Sequence, residues 1–298
     1  MFSYRHAFHA GNHADVLKHA MLVCILQYLT QKDTALQVID THAGVGLYKL
    51  DSNQAQTSGE ATSGILTLLQ SGNEGKAARE SALIKPYLEL VQSFQPNAST
   101  AGKKYPGSPL LAERLLRAQD KLHAFEVHPT DQRLLRGMMT EHDTRQLCTL
   151  HVADGFTGVK PLLPPPSRRG LLVCDPSYEL KTDYGQVVEL VTDTLKRFAT
   201  GCIFVWHPIV ARPEAHDLPR KLKNAATRAG KPWLHATLSV KSGAANAKGV
   251  PVGLSGSGVF VVNPPFVLEP ALREALPLLV KLLAQDAHAQ HTLETSPR

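Results

Sequence analysis

Cysteine, aromatic residues and acids are all scarce in this 298-residue chain, and each shortage excludes something. The four cysteines, Cys24, Cys148, Cys174 and Cys202, include no C-x-x-C pair, which removes zinc ribbons and dithiol redox motifs. Three of them sit in apolar runs (AMLVCIL, GLLVCDP, TGCIFVW), where cysteine acts as a small buried hydrophobe. A reduced, cytoplasmic protein without disulfides is expected. Aromatics, at 6%, are too few for an extended stacking platform along a single strand, although one ring at one target base is enough. No apolar run approaches the ~20 residues that cross a bilayer, and the opening MFSYRHAFHAGNHADVLKH lacks a signal peptide's apolar centre. No membrane association is expected. Acids number 26 against 32 lysines and arginines, giving a formal charge of +6 and a pI near 9.1, which suits a polyanionic partner without requiring one.

What is present reads as strands alternating with helices. At 43% hydrophobic and 19% charged, the chain can build one large α/β domain with an insertion. Residues 15–31, DVLKHAMLVCILQYLTQ, have helical spacing with Asp15 as the cap. ALQVID then reads as a strand running into the glycine turn THAGVG. Residues 51–102 turn polar and rich in Ser, Gly and Ala, with two helical runs, and predict an inserted helical subdomain. The main domain is expected over 1–50 and 103–285. It resumes at YPGSPLLAERLLRAQ, where Ser108 caps a helix and Pro109 suits its first turn. Strand-like runs LHAFEVH, LCTLHVAD, GLLVCDP, TGCIFVWHP, WLHATLSV and GVFVVNPP follow. Most are separated by helical stretches, as in a parallel sheet covered on both faces. The last two lack a helix between them and predict an antiparallel hairpin at one edge; residues 286–298 predict a loose tail.

In open parallel sheets ligands bind beyond the carboxyl ends of the strands, where strand order reverses. Three successive strands here end in an acid: Asp40, Glu126 and Asp154. Glu126 can accept the two hydroxyls of a ribose and Asp154 an adenine amino group, while Gly44 and Gly46 let the backbone approach a cofactor. A nicotinamide-dependent dehydrogenase is the rival, but its G-x-G-x-x-G turn would need Gly or Ala where Lys49 stands. S-adenosylmethionine, which carries no pyrophosphate, fits better. The ribose acid follows Gly46 by roughly 80 residues instead of the usual ~20, and the inserted stretch accounts for the excess.

An amino group on a purine is a weak nucleophile because its lone pair is delocalised into the ring. Acceptors aimed at its N–H groups localise that pair toward a methyl sulfonium. A strand-end turn of the form Asp/Asn-Pro-Pro-aromatic supplies such acceptors and an aromatic ring to stack on the base, which must be unpaired or flipped to reach it. VCDPSYE offers Asp175, Pro176, Ser177 and Tyr178; VVNPPFV offers Asn263, Pro264, Pro265 and Phe266, and keeps open methylation of a protein glutamine. Position favours Asp175, which ends the strand directly after the one carrying Asp154. The histidines His6, His9, His13 and His19 come with no H-E-x-x-H, so no metal is expected. Basic clusters at Arg168–Arg169, between Arg212 and Lys231, and around Lys241 and Lys248 could each face RNA or plain solvent.

Together SYRHAFHAGNHADVLKH, DTHAGVG, YPGSPLLA, ADGF, SRRGLLVCDPSYE, KTDY, KRFATG and NPP resemble the bacterial ribosomal RNA large-subunit methyltransferase J family, which methylates N6 of one adenine in 23S rRNA. The resemblance implies a Rossmann-like class I methyltransferase sheet with a small helical insertion, S-adenosyl-L-methionine as cofactor, and a monomer acting on naked 23S rRNA or an early assembly intermediate. It implies methyl-donor contacts from His19, His42, Gly44, Ser108, Glu126, Asp154 and Gly155. Asp175, Pro176 and Tyr178 would act at the target amine, with Tyr4, His6 and Lys18 near the substrate. The family's turn is Asp-Pro-Pro-Tyr; this chain has Ser177 at the third position.

Overall fold

The computed structural model describes residues 5–70, 72–95, 103–143, 145–243 and 254–297. Ten strands appear among them: β1 (Gln37–Asp40), β2 (Leu47–Lys49), β3 (Lys104–Pro106), β4 (Lys121–Phe125), β5 (Cys148–His151), β6 (Gly170–Cys174), β7 (Cys202–Ile209), β8 (Trp233–Ser239), β9 (Gly256–Val262) and β10 (Gln290–Thr295). The helices are α1 (His13–Leu29), α2 (Asn53–Ser58), α3 (Ile65–Gln70), α4 (Lys76–Glu80), α5 (Ile84–Ser93), α6 (Ser108–Leu115), α7 (Pro129–His142), α8 (Gly155–Gly158), α9 (Lys181–Arg197), α10 (Pro213–Arg228) and α11 (Leu268–Leu283). Eight strands form one sheet in the order β10-β8-β9-β7-β6-β1-β4-β5. Strands β5, β4, β1, β6 and β7 pair in parallel, so their carboxyl ends share one edge. From β1 the chain steps outward to β4 and β5, then returns to lay β6 on the other side of β1. Strand order therefore reverses between β1 and β6, and a crevice opens there.

Alternation along each strand feeds two separate cores. Val38, Leu171, Val173, Phe204, Val259 and Val261 face α1, α6 and α11, whereas Ile39, Leu172, Cys174, Ile203, Val205 and Phe260 face α9 and α10. Helix α1 is apolar on nearly every side and is accordingly buried between the sheet and the insert. The inserted stretch leaves through β2 and returns through β3, which pair antiparallel (Tyr48 opposite Tyr105) and close its neck. Its Ile65, Leu68, Ile84, Tyr87, Leu88 and Val91 join the α1 core, so the insert shares that core with the main domain.

Four expectations need correcting. Helix α1 is capped by Asn12, whose side chain accepts from the N–H groups of Ala14 and Asp15; Asp15 lies in the first turn and is buried. Gly107, not Ser108, is the N-cap of α6, because the Ser108 hydroxyl is turned to Asp40. The predicted edge hairpin is internal: β9 runs antiparallel between β7 and β8. The predicted loose tail supplies the edge instead, since β10 pairs with β8 from Gln290–Ser239 to Thr295–Leu234. Backbone pairing along an exposed edge needs little apolar sequence, so QHTLET did not announce itself.

Inside the sheet His207 and His235 touch ring to ring, Nε2 to Nε2 at 3.0 Å, and burial lowers both pKa values, to about 3 and about 4. Gly258 of β9 passes over the pair; an added Cβ would meet His207 Nε2 at 2.3 Å. Gly258→Ala should therefore lower the unfolding free energy by about 1–3 kcal/mol in urea titrations, an overpacking effect. A change under about 0.5 kcal/mol would mean the histidine pair moves aside freely.

Candidate active site

The crevice edge collects the strand-end groups. Asp40, ending β1, is buried; it accepts from the Ser108 hydroxyl (2.6 Å) and the His42 N–H (3.2 Å). Burial raises its pKa to about 6, against the pull of those hydrogen bonds. His42 passes its Nδ1 hydrogen to the Thr41 hydroxyl (2.7 Å), which itself donates to the Val173 carbonyl, and burial lowers the ring's pKa to about 4. Its ring meets Phe156 edge-on at 4.8 Å. Next along the edge, Glu126 follows β4. Its Oε2 accepts from Gly44 N (2.9 Å) and its Oε1 from His128 N (2.7 Å), which leaves each oxygen a further lone pair. Asp154 caps the short turn α8 by accepting from Phe156 N and Thr157 N.

Two glycines are required by space and by backbone. Gly44 adopts φ +63°, the left-handed region that glycine enters at no steric cost. An added Cβ at Gly155 would come 2.1 Å from the Thr41 carbonyl, so the loops after β1 and β5 can meet only with glycine there.

The head of the chain closes the crevice. Lys18 of α1 is buried and bridges Asp15 Oδ1 (2.8 Å) and Asp175 Oδ2 (2.6 Å), with the Trp206 ring centre 5.7 Å from its Nζ. Burial opposes the charge on Lys18, but the two carboxylates win and raise its pKa. Asp15 is more crowded still: its Oδ2 takes His6 Nε2 (2.9 Å) and Gly11 N (2.8 Å). Burial works against ionisation of Asp15, yet His6 and Lys18 hold its carboxyl well below the usual range. His19, one residue on, is held neutral by burial; its Nδ1 meets the Tyr105 hydroxyl at 2.6 Å. Of the predicted substrate residues, His6 and Lys18 meet on Asp15, and Tyr4 lies outside the described residues. Asp15 itself was missed beyond its reading as a cap. The available signal was an acid three residues before a lysine on an otherwise apolar helix.

The turn after β6 differs from expectation at its aromatic. Tyr178 is 2% exposed; its hydroxyl donates to the Trp206 carbonyl (2.6 Å) and its ring packs beside Tyr184 (4.7 Å) in the core under α9. A base cannot stack on a ring so enclosed, and the expected stacking by Tyr178 is withdrawn for this conformation. What Tyr178 does is hold the turn. Its φ of +54° is strained for a bulky residue, and Arg212 fixes its carbonyl at 3.1 Å. Ser177 is exposed above it. Asp175 keeps Oδ1 free of hydrogen bonds among the described residues.

The competing turn is far away. Because β9 is antiparallel, Val262 pairs with Ile203 at the start of β7, the opposite edge from Asp175. Asn263 donates there to the carbonyls of Ala199 (3.1 Å) and Gly201 (2.8 Å), finishing a strand, and Phe266 is 76% exposed. Among the described residues no cluster of His, Cys, Asp and Glu could hold a metal, and no helix is long and apolar enough to cross a membrane.

A reversed-order parallel sheet with a glycine turn after its central strand and acids at the next strand ends defines a class I methyltransferase. The residues fit S-adenosylmethionine: Glu126 retains paired lone pairs for a diol, Gly155 keeps the crevice floor thin, and buried Nε2 of His19 lacks a partner among the described residues. Residues 33–294 match the family described as ribosomal RNA large subunit methyltransferase D, RlmJ. The chain is 41% identical over 279 residues to ribosomal RNA large subunit methyltransferase J of Escherichia coli K12, covering 94% of this chain and 93% of that one. It is 37% identical to the Haemophilus influenzae protein of the same name, covering 99% and 98%. A crystal structure of a Legionella pneumophila protein is similar at TM-score 0.82 and 29% identity, covering 96% and 98% of the two chains. The chain belongs to the ribosomal RNA large subunit methyltransferase J family. It is an S-adenosylmethionine-dependent methyltransferase.

The raised pKa of Asp40 sets a pH signature. A carboxyl that binds its proton more tightly when folded favours the folded state below its unfolded value of 3.8, and that stability is lost as pH rises to about 6. Asp40→Asn removes the penalty. The variant should match the parent near pH 4 and exceed it by on the order of 1–3 kcal/mol near pH 7, read from denaturant titrations at both values. Equal stability at pH 7 would mean that Asp40 ionises without cost.

Proposed function

We propose that this protein transfers a methyl group to N6 of an adenine in 23S rRNA, with Asp175 and the Pro176 carbonyl as the acceptors that orient the amine. The supporting observation is the division of Asp175: Lys18 occupies Oδ2, and Oδ1 carries no other hydrogen bond at the mouth of the crevice. Lys18 thus fixes the carboxylate's rotation while leaving one oxygen for an N–H. S-adenosylmethionine, when bound, supplies an electrophilic methyl on a sulfonium. Glu126, Asp154, Gly155, Gly44, His42, Ser108 and His19 would hold it, Ser108 acting through Asp40. The amine sheds its proton as or after the new bond forms, so Asp175 works by alignment more than by basicity.

The target base must leave its stack to reach this depth. With Tyr178 enclosed, Trp206, half-buried with its ring centre 5.7 Å from the Lys18 Nζ that binds Asp175, takes the stacking role expected of Tyr178. His6 sits behind Lys18 through Asp15, and Tyr4 precedes it in the chain. In this reading the protein acts as a monomer on naked RNA or an early assembly intermediate. Arg169 is spoken for, since its guanidinium binds the carbonyls of Leu29 and Thr34. Lys241 remains a candidate RNA contact, whereas Lys248 lies outside the described residues.

Asp175→Ala should lower methyl transfer to undermethylated 23S rRNA by about a thousandfold, as loss of an aligned acceptor does. Binding of S-adenosylhomocysteine should change less than about threefold, because no donor contact is assigned to Asp175. Nucleoside mass spectrometry and calorimetry read the two. Full activity in Asp175→Ala, or labelled methyl appearing in protein and not RNA, would overturn the reading.

A further inference from the structure

The insert is joined to helix α1 by a chain of three side chains. Tyr87 of α5 and Tyr105 of β3 are fully buried with their hydroxyl oxygens 3.0 Å apart, and the Tyr105 hydroxyl lies 2.6 Å from Nδ1 of His19. His19 is 1% exposed and its Nε2 has no partner among the described residues. Neither tyrosine hydroxyl has another partner among them.

Three hydrogens must be shared along this chain: one on each phenol and one on the imidazole, which burial keeps neutral. Suppose the ring carries its hydrogen on Nδ1. It then donates to Tyr105, Tyr105 donates to Tyr87, and the Tyr87 hydrogen has nowhere to go. The Nε2 lone pair is also bare, giving two unsatisfied groups in a sealed site. In the opposite sense Tyr87 donates to Tyr105 and Tyr105 donates to Nδ1. The only group left over is then Nε2–H. Each unsatisfied buried group costs about 1–3 kcal/mol, so the second arrangement is preferred.

We propose that Tyr105 is a positioning residue that holds His19 as its Nε2–H tautomer, presenting a neutral donor to an acceptor atom of the methyl donor. The proposal rests on the cofactor reading given above. Tyr105 sets the place of the His19 hydrogen without touching the ligand, and Tyr87 of α5 gives its own hydrogen to the Tyr105 oxygen. The buried, unanswered Nε2–H is then a group kept for an acceptor that arrives with the cofactor.

The test is the nitrogen NMR spectrum of the unliganded full-length protein, with the His19 signals identified by their loss in His19→Gln. The expected result is a pyrrole-type shift at Nε2 and a pyridine-type shift at Nδ1. In Tyr105→Phe no phenol donates to Nδ1, both tautomers leave the same number of groups unsatisfied, and an Nδ1–H population should appear. Affinity for S-adenosylhomocysteine by calorimetry should fall about three- to tenfold, the effect of one misdirected hydrogen bond. A parent spectrum with hydrogen on Nδ1 overturns the proposal even if the variant fails to fold. A folded Tyr105→Phe with unchanged tautomer or unchanged affinity overturns it as well. Failure to methylate RNA would leave the tautomer result standing, so the two readings fail separately.

Discussion

The paired groups Asp15, Lys18 and Asp175, the first two buried and the third half-buried, are the constraint on which the site depends. Desolvating them is costly, and such a set persists only where geometry and additional hydrogen bonds compensate. Here Gly11 N and His6 complete the shell of Asp15, and Lys18 spans the gap between the two carboxylates. The consequence is mechanical. The head of the chain is bound to the end of β6, and the side chain that would face the target amine cannot swing away.

A second constraint works from below. Tyr178 is drawn into the core under α9 and tied to the Trp206 carbonyl, so the backbone between Asp175 and Tyr178 is pinned at both ends. This accounts for how the turn keeps its shape with Ser177 at its third position. The restraint comes from the buried ring and not from a second proline.

Much of this was legible in the letters, for identifiable reasons. Parallel strands deliver their carboxyl ends to one edge, so the order of Asp40, Glu126, Asp154 and Asp175 along the chain already implied their grouping. The same logic separates DPSY from NPPF: an intervening antiparallel strand sends Asn263 to the far edge. What escaped notice depends on side-chain direction and long-range pairing. Nothing local distinguishes a tyrosine that stacks on a base from one folded under its own turn. Asp15 looks like an ordinary helix-start acid until Lys18, His6 and Gly11 close round it. Strand β10 exists because β8 offers it an edge, and the interior position of β9 depends on its pairing with β7 as well as with its chain neighbour β8.

The most direct test of the account is a double-mutant cycle between Lys18 and Asp175, using Lys18→Met, Asp175→Ala and the pair, with unfolding free energy as the readout. If the clamp holds the turn, the two changes should be strongly non-additive, with a coupling of about 1.5 kcal/mol or more. Additivity within about 0.5 kcal/mol would show that the two groups act independently and would contradict the clamp.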